Sequence, residues 1–92
     1  MIVTEENLMT YKRVTQLQSR TIIGTKQTLK AMANGGVSEV FIAEDVDHHI
    51  TSQVLNETIK QGIPYTLVDS KKRLGEACNI DVGASVVAIR TD

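Results

Sequence analysis

The sequence predicts an α/β fold, a three-layer α/β/α sandwich, and three observations carry that prediction. Short β-branched, apolar runs alternate along the chain with segments rich in helix formers. Within the longer helical segments apolar residues recur three or four positions apart, the spacing of one helix face. The β-branched runs are apolar at successive positions, as expected of strands covered on both faces.

The elements follow in order. Leu8, Tyr11, Val14 and Leu17 are spaced by three, which predicts an amphipathic helix over residues 5–18. Thr21-Ile22-Ile23, stopped by Gly24, reads as a small strand. Residues 25–34 offer Leu29, Ala31, Met32 and Ala33 for a buried helix side, and Asn34-Gly35-Gly36 ends that helix. Residues 37–43, with Val37, Val40, Phe41 and Ile42, should form a buried strand. Glu44-Asp45-Val46-Asp47 supplies acids for a turn and a helix N-cap. A helix over residues 48–61 then carries Ile50, Val54, Leu55 and Ile59 and closes at Gly62. Residues 64–68 predict a third buried strand, Ser70 caps a short helix running through Cys78, and residues 82–89 close the chain as an apolar strand.

A chain of 92 residues has room for one domain, so residues 1–92 are read as a single unit. Apolar residues make up 41% and charged residues 23%, which places it among ordinary globular proteins. No apolar run approaches the ~18 residues of a membrane span. The start, Met-Ile-Val-Thr-Glu-Glu-Asn, lacks a basic and then apolar signal segment. One cysteine cannot form an internal disulfide and suits a reducing compartment, so the cytoplasm is the expected location.

The net charge of −1 does not point to a polyanion partner, but the order of charges does. Lys12, Arg13, Arg20, Lys26 and Lys30 occur with no acid between Asn7 and Ser38. Glu39, Glu44, Asp45, Asp47 and Glu57 then occur with no Lys or Arg up to Thr58. Lys60, Lys71, Lys72 and Arg73 restore the positive sign. If the basic stretches share a face, they form an anion-attracting patch; solvated helix faces account for the same pattern equally well.

Catalysis finds no support in the residues. None of the serines lies in a nucleophile-elbow context, and His48 and His49 sit beside an acidic turn at a helix start. His48, His49 and Cys78 have no metal-ligand spacing, and Cys78 reads as a small buried side chain. The dinucleotide fingerprint and the phosphate loop are both absent. The expectation is therefore a protein with no cofactor and no enzymatic activity.

One segment does carry binding chemistry. Ile22-Ile23-Gly24-Thr25-Lys26-Gln27-Thr28-Leu29-Lys30 passes from strand to helix through a glycine and a hydroxyl. A helix N-terminus offers unpaired N–H groups and partial positive charge to a phosphate, and Gly24 permits close backbone approach. Lys26 and Lys30 share a helix face, and the Gln27 amide can donate to and accept from a base edge. Phosphate anchors beside one base-reading amide suit direct readout of nucleic acid, while an ordinary helix start with surface lysines is the plainer alternative. Three aromatics, with Phe41 and Tyr65 in strands expected to be buried, cannot build a stacking platform for single strands. Structured RNA gripped by a helix end stays open beside that plainer alternative.

Five segments in order resemble the kink-turn-binding ribosomal proteins of the archaeal and eukaryotic large subunit and their short bacterial relatives. They are Gly24-Thr25-Lys26-Gln27-Thr28-Leu29-Lys30, Ile42-Ala43-Glu44-Asp45-Val46-Asp47, Ile63-Pro64-Tyr65, Leu74-Gly75-Glu76-Ala77-Cys78 and Ile80-Asp81-Val82-Gly83-Ala84. The resemblance implies a three-layer α/β/α sandwich with a mixed four-stranded sheet. It implies binding to kink-turns, RNA elements built on tandem sheared G·A pairs, in ribosomal, riboswitch or leader RNA. Carried over, Gly24, Thr25, Lys26, Gln27 and Lys30 would meet the G·A pairs and adjoining phosphates. Ile80, Asp81, Val82 and Gly83 would form the apolar loop that covers the three-nucleotide bulge. Many members have Asn-Glu where this chain has Lys26-Gln27, and Pro where it has Gly83, so Gln27 would accept through a neutral amide rather than a carboxylate. Ribosomal or other ribonucleoprotein proteins are the implied neighbours, with no DNA and no membrane, and a monomer is expected. The competing reading is a protein-interaction scaffold that uses the acidic stretch 39–57.

Overall fold

The computed structural model describes residues 5–91. The signal-peptide reading rests partly on residues 1–4, which lie outside the described residues. Helix α1 (Glu5–Gln16) and a 3-10 turn (Gln18–Arg20) lead into β1 (Thr21–Ile23), α2 (Thr25–Ala33) and β2 (Val37–Ala43). Helix α3 (His48–Lys60), β3 (Tyr65–Val68), α4 (Lys71–Ala77) and β4 (Val86–Arg90) complete the order. Asp47 starts α3 by accepting from the His49 N–H at 2.9 Å, and Ser70 starts α4 by accepting from the Arg73 N–H at 3.2 Å.

The sheet order is β1-β4-β2-β3. β4 is antiparallel to both neighbours, pairing Val87 with Ile23 on one side and with Phe41 on the other. β2 and β3 are parallel, with Val40 opposite Tyr65. The sheet is therefore mixed, as expected. Side chains alternate across it. Phe41, Ala43, Val68, Val87 and Ile89 face Tyr11 and Val14 of α1 and Leu74 and Ala77 of α4. Val40, Ile42, Val86 and Ala88 face Met32 of α2 and Val54 of α3. Two apolar faces with two helices on each make the three layers, and Val40, Val86, Val87 and Ala88 between them are fully shielded from water.

Three sequence expectations are corrected. The last strand begins at Val86 rather than Val82, because residues 80–84 pack on α4 instead of joining the sheet: the Ala84 N–H donates to the Lys71 carbonyl at 2.9 Å and the Ile80 N–H to the Gly75 carbonyl at 3.1 Å. The third strand is buried only at Val68. It lies at the sheet edge, and Tyr65 and Leu67 are 43% and 44% exposed. Leu8, Ile50 and Ile59 are also exposed, since each helix buries only a narrow stripe, which in α3 is Thr51, Val54 and Thr58.

Tyr11 ties α1 to the junction between β3 and α4. Its hydroxyl donates to Asp69 Oδ1 and accepts from the Ser70 N–H at 3.1 Å. Burial first, then the hydrogen bond to Asp69, pushes the phenol up to about 12. A phenol whose folded-state value lies above its unfolded one (near 10) stabilises the fold fully below that unfolded value. The contribution is lost as pH rises from about 10 to 12. Tyr11→Phe should cost about 1–3 kcal/mol in urea unfolding at neutral pH. The gap between variant and parent should close over that alkaline window; a gap that persists unchanged to pH 12 would show that the hydroxyl is not what stabilises the junction.

Candidate nucleic-acid interface

β1, β2 and β3 run in one direction and β4 in the other, so the first three strands all end at one rim of the sheet. Each is followed by a helix, and the N-termini of α2, α3 and α4 therefore gather at that rim, together with the loop that enters β4. The helix dipoles direct partial positive charge there.

The three starts differ. Side chains cap α3 and α4, but α2 begins on Gly24 and has no side-chain cap. Gly24 adopts φ 105° and ψ 153°, which a side chain would strain. Nothing crowds the space that its Cβ would fill, so glycine serves the backbone turn and leaves an open approach. The Gly24 N–H donates to the Val86 carbonyl at 2.9 Å, and its carbonyl accepts from the Thr28 N–H at 3.0 Å. Beyond it Thr25 is half-buried, while Lys26, Gln27 and Lys30 are exposed.

The Gly24–Val86 bond has a second consequence. It sets the start of α2 beside the segment entering β4, and so brings the two sequence-predicted clusters to the same rim. In the second cluster Ile80 is half-buried against the α1–α4 core, Asp81 and Gly83 are exposed, and Val82 is 70% exposed. An apolar side chain held that far into water on an anchored loop is available for an apolar contact.

The anchoring is specific. A Cβ on Gly75 would lie 2.1 Å from the Val82 carbonyl oxygen, so only glycine lets α4 approach the loop this closely. A Cβ on Gly83 would come to 3.2 Å from Lys71 Cγ, so the Lys71 stem lies along the loop. The Lys71 N–H donates to Asp45 Oδ1 at 2.8 Å, joining the acidic turn to the start of α4. Lys71 is not among the residues that the sequence singled out. Its signal was the Lys71-Lys72-Arg73 run, but only the fold sets it against residues 80–84.

Two of the other cations lie elsewhere. Arg13 pairs with Glu39 at 2.7 Å and Arg20 donates to the Arg90 carbonyl, both at the opposite end of the sheet. The acidic stretch is divided likewise, since Glu39 lies at that far end and Glu44, Asp45 and Asp47 at the rim. His48 and His49 are exposed at the start of α3, and burial pushes the Cys78 thiol up, away from thiolate chemistry.

Comparison with known proteins bears on this arrangement. Residues 6–92 match the model of the ribosomal protein L7Ae/L30e/S12e/Gadd45 family. The chain belongs to that family. An RNA-binding protein of Bacillus pumilus (strain SAFR-032) is 47% identical over 81 residues, which span 88% of this chain and 98% of the relative. An RNA-binding protein of Geobacillus sp. (strain WCH70) is 46% identical over the same shares of the two chains. Among solved structures, the 15.5kD RNA-binding protein of Giardia lamblia superposes with a TM-score of 0.88 at 29% identity, covering 99% of this chain and 79% of that one. The family resemblance and the three-layer fold with a mixed sheet are thereby shown.

Gly75→Ala should displace residues 82–83 and lower stability by about 1–3 kcal/mol, as overpacking against backbone does. Urea unfolding reads the loss, and amide chemical shifts should change most at residues 80–84. Unshifted amides there would overturn the assignment of Gly75 as the loop's anchor.

Proposed function

We propose that the protein is a non-catalytic RNA-binding protein that recognises and stabilises kink-turn RNA. The observation that carries this reading is the Gly24–Val86 hydrogen bond, which sets an uncapped helix N-terminus beside an anchored loop with an exposed apolar tip. One part suits phosphate and base edges; the other suits a base turned out of a stack. Family membership and the names of the relatives support RNA as the ligand.

The roles follow from position. Gly24 lets a phosphate approach the backbone closely, and Thr25 offers it a main-chain N–H at the uncapped start of α2. Lys26 and Lys30 neutralise adjoining phosphates, and Gln27 reads the edge of a sheared G·A pair through its amide. Ile80, Asp81, Val82 and Gly83 cover the bulge, with Val82 making the apolar contact. Lys71 adds a cation from α4 beside this loop. The RNA is part of a ribosomal, leader or riboswitch element, and the site of action is the cytoplasm. Every contact is either electrostatic or packing, so recognition requires no reacting group.

Titration into a short kink-turn duplex tests the reading, with a control duplex whose sheared G·A pairs are replaced by Watson–Crick pairs. Tight binding to the first and loss on the second is expected. Equal, salt-sensitive binding to both would reduce the rim to a general polyanion surface. Gln27→Ala should lose about 1–3 kcal/mol on the kink-turn. Lys30→Ala should instead weaken binding to all RNAs and lower the salt slope by about one unit.

A further inference from the structure

The sheet edge at β3 is not closed by the fold. β3 pairs with β2 on one side only. The Val40 N–H donates to the Pro64 carbonyl at 3.0 Å and the Glu44 N–H to the Val68 carbonyl at 2.8 Å. In a parallel ladder the bonded residues alternate, so the main-chain groups of Tyr65 and Leu67 turn outward. The same two residues have their side chains on the α3 side of the sheet, because Val68 lies on the other. Helix α3 sits over β2 rather than β3 and leaves both half-exposed.

Between α3 and the ends of β2 and β3 lies a groove of about 370 Å3 lined by Ile42, Leu55, Leu67, His48, Ser52 and Glu44. Its apolar floor continues along α3, where Ile59, one turn beyond Leu55 on the same face, is 57% exposed. Glu44 is the carboxylate that lines the groove, beside the imidazole of His48. Asp45 and Asp47 share its turn, and no Lys or Arg occurs between Glu39 and Thr58. The turn at the rim end of the groove therefore offers carboxylates to a cation.

We propose that the β3–α3 groove receives an extended, basic segment of a partner protein, added to the sheet beside β3. Outward main-chain groups supply a hydrogen-bonding ladder, Leu55, Tyr65 and Leu67 take alternate apolar side chains, and Glu44 takes a cation at the rim end. The proposal is independent of the RNA reading.

A synthetic heptapeptide alternating Val and Lys, titrated into the full chain and followed by amide NMR shifts, tests it against the same peptide with Glu for Lys. Saturable shifts at Tyr65, Leu67 and Leu55 are expected with the Lys peptide and not with the Glu peptide. Leu67→Lys should weaken peptide binding by about tenfold while leaving kink-turn binding and the unfolding midpoint as in the parent. Three outcomes would overturn the proposal: equal binding of both peptides, no saturation by the Lys peptide at millimolar concentration, or shifts confined to α2 and residues 80–83. A fourth would be sedimentation of the chain as a dimer that Leu67→Lys dissociates, which would assign the edge to a second copy.

Discussion

The reversal of β4 between β1 and β2 is the constraint on which the rim depends. Because β4 alone runs against the other strands, β1, β2 and β3 all deliver their following helices to one end, and the loop into β4 arrives at that same end. The Gly24 N–H, bonded to the Val86 carbonyl, is where this topology becomes a local contact. Were β4 parallel to its neighbours, residues 80–83 would enter at the far end, and the two clusters would be separated by the length of the sheet.

A second layer of interactions holds the rim in shape. Tyr11 bridges Asp69 and Ser70, Asp45 accepts from the Lys71 N–H, and the Lys71 carbonyl accepts from the Ala84 N–H. These bonds link α1, the acidic turn, α4 and the loop in sequence. Gly75 removes the one Cβ that would break the chain of contacts. The acids near the rim therefore have structural work: Asp47 caps α3, Asp45 positions α4 and Asp69 receives the Tyr11 hydroxyl. Preorganisation of this kind lowers the ordering cost of binding, which otherwise subtracts from affinity.

The charges show why net charge says little about a ligand. A chain at −1 still presents an uncapped helix start with Lys26 and Lys30, because no acid occurs between Asn7 and Ser38. The apolar surface is divided in a similar way. Val82 stands out at the rim, whereas Leu55, Ile59, Tyr65 and Leu67 form a separate patch along the sheet edge.

Local chemistry made much of this legible in advance. The helix and strand order, the caps at Asp47 and Ser70, and the Gly24–Lys30 segment follow from patterns within a few residues, and the structure places each of them as read. The 80–83 segment was singled out only through family resemblance, since nothing in Ile-Asp-Val-Gly marks it as a candidate. Its apolar continuation even read as the start of a strand. What only the tertiary structure decided is which distant residues meet: β3 as an edge rather than a core strand, Arg13 and Arg20 at the far end, Lys71 against the loop, and Gly75 beneath Val82. Periodicity reports which face of an element is apolar. It does not report which element covers that face or at which end of the sheet a loop returns, and strand order and direction set both.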